Sequence, residues 1–283
     1  KNKPEGERMT KNPLAEPGPG SSTLAAFSEH FRLERQESAA TLIESVATAF
    51  SSIPYENLTK VLKQDHEGTQ AARRCPEEVI KDHIRLGSGG TCFSLTAALL
   101  HILRALGLRA EPILADRHYG DNTHCALLVW LNERPHLLDP GYLILRPLPL
   151  PGGEETSRIV PTSFNDLLLK HREDGSRIEL HTSQQGGTSH RLTFKAEPAE
   201  DSDFLDAWDA SFGWDMMRYP LLTRVRDAEQ LYLQGSRLQR RSRETVERAE
   251  LSTAPEIASA FGIEEGIVAH ALALFSRRGE EYD

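Results

Sequence analysis

The hydrophobic pattern of the chain changes its period at Gly107, and this change constrains the fold more than any other feature. Before Gly107, from about Thr23, apolar residues recur at the three- and four-residue spacing of amphipathic helices. After it, short apolar runs alternate with turn residues, which is typical of antiparallel strands. We therefore expect a helical first third followed by a mostly β middle third.

Three helices are predicted in the first third of the chain. The first carries an apolar stripe over residues 42–50. The second begins at Pro76, since proline suits the first helical turn, and ends at Gly87. The third begins near Cys92, and Gly107 stands where a C-terminal cap belongs.

The middle third predicts a small antiparallel barrel or curled sheet. Strands are predicted at residues 126–131, 136–138, 177–181 and 191–194. Asn132-Glu133-Arg134 predicts the turn of a hairpin between the first two strands, and the turn around Gly186-Gly187 joins the last two. The proline-rich run 146–153 predicts a loop or an edge connection, because proline lacks the backbone N–H donor.

The last third mixes both types of structure. It predicts an aromatic stretch over residues 204–214, strands near Leu231–Leu233 and Leu238, and two short helices on either side of Gly262. The predicted fold class is α+β. We expect a mobile leader over residues 1–22, a helical domain over 23–108, a β-barrel domain over 109–200 and an α/β lid domain over 201–283.

Composition excludes several classes of function. Lys and Arg number 33 against 42 Asp and Glu, a net charge of −9 that argues against a nucleic-acid binder. No apolar run approaches the roughly 20 residues of a membrane-spanning helix. The three cysteines include no CxxC pair, so neither a disulfide framework nor a metal site is expected. Free thiols suit a reducing compartment, and we expect a cytoplasmic protein.

The strongest chemical signal is the segment Gly89-Gly90-Thr91-Cys92-Phe93, directly before the third predicted helix. Two glycines allow a tight turn and a close backbone approach. They leave Cys92 in the first helical turn, where unpaired N–H groups and the helix dipole stabilise an anion. This placement lowers the pKa of a thiol, so Cys92 is a candidate nucleophile. A buried structural cysteine is the alternative.

A nucleophilic cysteine needs a base, and the base needs a group that orients it. We predict that His124 and Asp139 face each other across the hairpin, with Cβ atoms about 5 Å apart. A slip of one residue would place them on opposite faces. Asp116 and Asp121 are rival orienting groups, and His124 and Asp139 are alternatively a structural histidine and a turn aspartate. Cys125 points to the opposite face and is predicted to pack.

These residues resemble the arylamine N-acetyltransferase family. Ile53-Pro54-Tyr55-Glu56-Asn57-Leu58 resembles its I/V-P-F-E-N-L segment, and Gly89–Phe93 resembles its R-G-G-x-C-F motif. Thr123-His124 and Leu138-Asp139-x-Gly141 resemble the segments that carry its histidine and aspartate. The resemblance extends over most of the chain. It implies a helical bundle, a β-barrel and an α/β lid, with Cys92, His124 and Asp139 as the catalytic residues.

The resemblance also implies a reaction. An acetyl or other acyl group would pass from acetyl-CoA, or another acyl thioester, through an acyl-cysteine to an amine or hydrazine nitrogen in a ping-pong mechanism. No permanently bound cofactor is implied, and the partners are a small-molecule acyl thioester and an amine acceptor. Gly141 and Tyr142 are expected near the coenzyme, because they stand in the segment that matches the family's V-G-F-G loop.

Two departures from the family pattern matter. Ser88 replaces the arginine before Gly-Gly, so the ion pair with Glu56 is absent unless Arg85 or another base substitutes. The segment Pro140-Gly141-Tyr142-Leu143 lacks the second glycine of the cofactor loop. Alternatives therefore stay open: an amide synthase fed by an acyl carrier protein, a transglutaminase- or papain-like hydrolase, or a non-catalytic scaffold. The basic residues of segment 237–243 are either a site for a coenzyme phosphate or solvated charges.

Overall fold

The computed structural model describes residues 12–34, 36, 38–151, 155–172, 175–184, 187–226 and 228–280. Its helices are α1 Ser22–Phe31, α2 Ala39–Phe50, α3 Leu58–Glu67, α4 Pro76–Leu86, α5 Cys92–Ala105, α6 Asp201–Ala210, α7 Ala254–Phe261 and α8 Glu265–Glu280. Its strands are β1 Tyr55–Glu56, β2 Ala110–Arg117, β3 Gly120–Leu131, β4 Arg134–Asp139, β5 Ile144–Pro149, β6 Ser157–Pro161, β7 Asp166–Arg172, β8 Arg177–Gln184, β9 Gly187–Lys195, β10 Leu221–Arg226, β11 Glu229–Gln234, β12 Arg237–Arg241 and β13 Val246–Glu250. The predicted α+β class is confirmed.

The helices of the first third pack around α5, whose residues are almost all buried. The three predicted helices are confirmed as α2, α4 and α5. Helix α2 buries Ile43, Val46 and Phe50, and α4 ends at Gly87, whose φ of 67° is the left-handed conformation that glycine adopts easily. The sequence pattern gave no signal for α3, since most of its residues are polar.

The middle third forms an eight-stranded antiparallel sheet in the order β5-β4-β3-β2-β9-β8-β7-β6. The sheet curls around a core of its own, to which residues such as Ile113, Leu128, Leu169 and Phe194 contribute. The proline-rich run contributes β5, an edge strand, which is where a sheet tolerates proline. Gly186 of the predicted β8–β9 turn lies outside the described residues.

The β3–β4 hairpin differs from its prediction in the turn. Only Asn132 and Glu133 form the loop, with φ of 49° and 59°, as a two-residue hairpin turn of type I′ requires. Arg134, which the prediction placed in the turn, pairs with Leu131 as the first residue of β4. The sequence signal missed this because neither loop residue is glycine.

A second sheet, in the order β1-β10-β11-β12-β13, belongs mostly to the last third of the chain. Its first strand, β1, comes from the helical third and pairs with β10 through Tyr55↔Thr223 and Glu56↔Leu222. This pairing brings the last third against the start of α5. Within the described residues, no helix has both the length and the apolar character needed to cross a membrane.

Residues 1–11 of the predicted leader lie outside the described residues. The next residues contact the body of the protein: Leu14 is buried, and its carbonyl accepts a hydrogen bond from Arg104. Glu16 forms an ion pair with the same guanidinium at 2.9 Å.

Candidate active site

Two separate sequence segments meet at the start of helix α5. Gly90 N–H donates to the carbonyl of Pro54, and Glu56 N–H donates to the carbonyl of Gly90 at 2.9 Å. Both glycines are needed for this close approach. A Cβ on Gly89 would overlap the Pro54 carbonyl oxygen, and one on Gly90 would overlap the Ser94 hydroxyl. The two glycines predict a close approach of the backbone to a bound group, whereas in the structure they approach Pro54 and Ser94 of the protein itself.

The carboxylate of Glu56 is fully buried beside this junction. It accepts hydrogen bonds from Gly89 N–H at 3.1 Å, Thr59 N–H at 2.9 Å and the Thr59 hydroxyl at 2.6 Å. A buried carboxylate is stable only when such donors and a counter-charge replace its hydration. Gly89 lies three residues before Cys92, so this carboxylate helps to fix the start of α5.

The counter-charge of Glu56 is Arg74, which the sequence analysis did not single out. Its Nη1 lies 4.0 Å from Glu56 Oε1 and donates to the Gly89 carbonyl, and its Nη2 is 2.7 Å from Asp82. The guanidinium is buried, whereas Arg85, the substitute named from the sequence, is exposed. Ser88 is buried at the position of the family's arginine.

Cys92 is the first residue of α5 and is 4% exposed. Thr91, the N-cap, makes no side-chain hydrogen bond to the helix end, so the first-turn N–H groups are left for another acceptor. The pKa of the Cys92 thiol lies well below its ordinary value. The contact with the Cys125 thiol lowers it most, burial opposes the shift, and the hydrogen bond and charge of His124 lower it further.

His124 and Asp139 form a buried hydrogen bond, with 2.7 Å between Nε2 and Oδ2. Burial disfavours the charged imidazolium, but Asp139 and Cys92 outweigh it and raise the pKa of His124 to about 9. The rival Asp116 is instead paired with Arg177 at 3.1 Å and Lys195 at 3.4 Å. The structure therefore brings the imidazole, the Asp139 carboxylate and the Cys92 thiol together.

The prediction that His124 and Asp139 lie directly opposite each other is wrong, because the actual strand register differs by two residues. Leu127 pairs with Leu138, so continuation of the ladder brings Asp139 opposite Ala126 rather than His124. The side chains still meet because strand side chains alternate with a period of two, which keeps both on one face as diagonal neighbours.

The loop after Asp139 closes over the sulfur. Asp139 Oδ1 accepts the N–H of Tyr142 at 2.8 Å, which holds the loop in place. A Cβ on Gly141 would lie 2.7 Å from Cys92 Cβ and 3.1 Å from His124 Cε1, so only glycine fits between them. Leu143, at the position of the family's second glycine, has a φ of 65° in the left-handed region. The backbone thus keeps a conformation that suits glycine.

Two buried residues near Cys92 were not recognised from the sequence as part of the site. Cys125 points to the opposite strand face, as predicted, but its thiol contacts Cys92 as well as Thr96. Lys60 donates to the Ser211 carbonyl at 3.1 Å and lies 4.4 Å from the centre of the Phe212 ring. Burial lowers the pKa of Lys60 to about 7, and the negative charge of Cys92 opposes that shift.

A cavity of about 1040 Å³ opens above Cys92, between the curled sheet and the last third of the chain. Tyr142 and Gly141 line it, as do Trp214 and Met216 from the segment before β10. Within the basic segment 237–243, Arg241 lines the cavity, whereas Arg243 pairs with Asp166 at 2.5 Å. Among the described residues, no three His, Cys, Asp or Glu side chains are grouped so as to hold a metal ion.

Comparison with known proteins gives consistent results. A family model described as N-acetyltransferase matches residues 38–268. The uncharacterized acetyltransferase YvcN of Bacillus subtilis is 27% identical over 143 residues, which cover 47% of this chain and 53% of that protein. The chain thus spans about half the length of this curated relative.

Solved structures of arylamine N-acetyltransferases share the fold. The Mycobacterium abscessus enzyme has a TM-score of 0.73 at 18% identity, covering 88% of this chain and 94% of that chain. The Mycobacterium marinum enzyme, in complex with CoA, has a TM-score of 0.72 at 17% identity, covering 88% of this chain and 98% of that chain. At these identities the likeness establishes the fold.

Replacing Arg74 by methionine tests the Glu56 network. The substitution leaves a buried carboxylate without its counter-charge, so we expect the free energy of unfolding to fall by roughly 3–5 kcal/mol. Urea denaturation measures it. Arg73→Met is the matched control, because Arg73 pairs with Asp209 near the surface and should cost clearly less. Equal losses in the two variants would contradict the role of Arg74.

Replacing Gly141 by alanine tests the packing over Cys92. The new methyl group forces Cys92 and His124 apart, so we expect the Cys92 thiol pKa to rise and its alkylation at neutral pH to slow about tenfold. Peptide mass spectrometry after a timed iodoacetamide exposure measures the rate. Gly213→Ala, in the same cavity wall but with open space around it, should leave the rate unchanged.

The pH dependence of alkylation tests the thiolate directly. A lowered pKa keeps Cys92 ionised below the pH at which an ordinary thiol protonates, and reactivity is lost only as the pH falls through the folded pKa. We expect the alkylation rate of Cys92 in the folded protein to begin its fall at a lower pH than that of an ordinary thiol, which slows tenfold per unit below about 8.5. The urea-unfolded protein is the control. Parallel profiles for folded and unfolded protein would disprove the stabilised thiolate.

Proposed function

The chain belongs to the arylamine N-acetyltransferase family, and from this membership and the site's geometry we propose that it moves an acyl group from a CoA thioester to an amine through an acyl-Cys92 intermediate. The observation that carries the proposal is the packing of Gly141 against both Cys92 and His124 while His124 hydrogen-bonds Asp139. The CoA complex of the Mycobacterium marinum relative supports a CoA donor. The proposed catalytic residues are Cys92, His124 and Asp139.

In the first half-reaction the Cys92 thiolate attacks the thioester carbonyl. A new carbon–sulfur bond forms, the bond to the coenzyme sulfur breaks, and the coenzyme leaves as a thiol with the proton from His124. Exchange of one thioester for another is nearly neutral in energy. Asp139 holds the imidazole in orientation and stabilises its charged form, the role that the buried 2.7 Å hydrogen bond supports.

In the second half-reaction an amine attacks the acyl-Cys92 carbonyl. His124, now neutral, takes the proton of the amine as general base, and the Cys92–acyl bond breaks to restore the thiolate and imidazolium. The first-turn N–H groups of α5, which the Thr91 side chain leaves uncapped, supply donors for the developing oxyanion in this proposal. Trp214 and Met216, which cover the cavity from the last third, limit the access of water that would hydrolyse the intermediate.

An amide synthase that takes its acyl group from a carrier-protein thioester is the second candidate. The loop over Cys92 favours it, since Leu143 replaces the second glycine of the family's cofactor loop and its side chain lines the cavity. Comparing acylation of Cys92 by acetyl-CoA with acylation by a phosphopantetheinylated carrier that bears a larger acyl group distinguishes the two. Faster acylation from the carrier would favour the synthase.

Intact-mass spectrometry tests the proposed function. We expect the protein to gain the mass of one acetyl group from acetyl-CoA, and to lose it with formation of an amide when an arylamine is added. Cys92→Ala should gain nothing, and His124→Gln should acylate roughly 10²–10⁴ times more slowly. Cys75→Ala is the matched control and should behave as the wild type.

Two results would contradict the proposal. Acetylation of Cys92→Ala would move the attachment point elsewhere. Loss of the acetyl group at the same rate with and without an amine would indicate a hydrolase.

A further inference from the structure

Three arginines line the cavity above Cys92: Arg117, Arg191 and Arg241. Within the described part of the chain, the hydrogen-bond partners of Arg191 and Arg241 are neutral. Arg191 Nε donates to the Thr182 hydroxyl at 2.8 Å, and Arg241 donates to the Gln230 and Gln239 amide oxygens at 3.3 and 3.1 Å. Asp215, a carboxylate of the cavity lining, is largely exposed and lies 3.9 Å from Arg218 instead. Apart from the Cys92 thiolate, the described cavity lining therefore places no anion in an ion pair with these three guanidinium groups.

Two of these guanidinium groups keep a hydrogen-bond donor unused. The Nε atoms of Arg117 and Arg241 are shielded from solvent and find no hydrogen-bond partner among the residues that the structure describes. An unsatisfied buried donor costs free energy, and a charged one costs more, so the described protein leaves both guanidinium groups incompletely satisfied. Because Nε is shielded, an acceptor that enters the cavity would reach these groups through their outer nitrogens. Guanidinium groups match a carboxylate, since their N–H fork fits its two oxygens.

Arg117 is the arginine nearest the reacting atoms. Its Nη2 lies 3.5 Å from His124 Nδ1, and its charge acts on the Cys92 sulfur. It follows an irregularity in the β2–β3 ladder between Ala115 and Arg117, the kind of bulge that redirects a side chain next to an active site. The neighbouring Asp116 is already used by Arg177 and Lys195, so it does not neutralise Arg117.

The position of Arg117 limits which anion it reaches. In CoA the whole pantetheine arm separates the thioester sulfur from the nearest phosphate. When that sulfur meets Cys92, the phosphates lie far from Arg117. A group beside Arg117 therefore belongs to the acyl chain or to the acceptor amine.

We propose that Arg117 is a specificity residue that binds a carboxylate of the substrate, carried either by the transferred acyl group or by the acceptor amine. The proposal rests on the proposed acyl transfer through Cys92. Arg191 and Arg241 add to the positive potential of the same cavity, and Tyr142 lies where all three arginine charges act on its hydroxyl. The preferred substrate is thus anionic close to the bond that reacts.

The two half-reactions separate the two sources of the carboxylate. In the first arm, Cys92 acylation is timed by mass spectrometry with succinyl-CoA and with butyryl-CoA, its uncharged counterpart of equal chain length. In the second arm, acetylated enzyme is treated with 4-aminobenzoate or 4-aminobenzamide, and loss of the acetyl group is timed. We expect the wild type to prefer the anionic member of one pair by roughly 10- to 100-fold, the range of a charged hydrogen bond.

The variants test whether Arg117 carries that preference. Arg117→Gln should slow both substrates of the pair but the anionic one by a further 10- to 100-fold, which abolishes the preference, and Arg117→Lys should restore part of it. Arg109→Gln is the matched control, because Arg109 lies outside the cavity lining, is 61% exposed and stacks 4.1 Å from the centre of the Trp130 ring.

The outcomes separate this inference from the proposed function. Acylation of the wild type with no charge preference in either arm would overturn the inference alone. An equal loss of Arg117→Gln on neutral and anionic substrates would also overturn it, and would indicate that Arg117 only stabilises the thiolate or the oxyanion. Absence of acylation by every thioester would overturn the proposed function and this inference together.

Discussion

The burial of one carboxylate, that of Glu56, determines where helix α5 begins. With no water around it, Glu56 must draw its hydrogen bonds from the protein, and it takes them from Thr59 and from the N–H of Gly89. Arg74 then neutralises the charge and holds the carbonyl of Gly89. Both backbone groups of the residue three positions before Cys92 are thus fixed. The hydrogen bonds around Glu56 thus position the Cys92 sulfur without contacting it.

The β3–β4 hairpin positions the other two residues of the site, His124 and Asp139, and the register of its strands decides whether they meet. An error of one residue in register would have put His124 and Asp139 on opposite faces of the sheet, but an error of two does not, because side chains alternate with a period of two. The two-residue loop Asn132-Glu133 sets the actual register. The diagonal pair still reaches hydrogen-bond distance because His124 is long enough to span the offset.

The parts of the fold and the site that local chemistry determines are predictable from sequence. Glycines before an amphipathic helix place Cys92 at a helix start, and the helices with regular apolar spacing follow from the same pattern. Strand β2 is not predicted, because Pro112 interrupts an apolar pattern that otherwise suits a strand. Arg74 is not predictable from the sequence. A buried Glu56 requires a cation, but only tertiary packing decides which arginine supplies it.

The arginines of the cavity are a further case, since nothing in their local sequence separates Arg117 or Arg191 from surface charges. The fold gathers them on a chain whose net charge is −9. A cavity lined by three arginines in an acidic protein attracts anions locally while the remaining surface repels them. Such a field favours the entry of an anionic coenzyme or substrate at this face over contact elsewhere.

The same charges change partners during the proposed cycle. Before acylation, the thiolate of Cys92 and the carboxylate of Asp139 are balanced by the imidazolium of His124 and by Arg117. Acylation removes the thiolate charge, and the departing coenzyme thiol carries away the imidazolium proton. Asp139 remains on the far side of the imidazole, so Arg117 then faces the cavity without its nearest anion. The Arg117 guanidinium is therefore most available to a substrate carboxylate in the acyl-enzyme, which is the state that the acceptor amine enters.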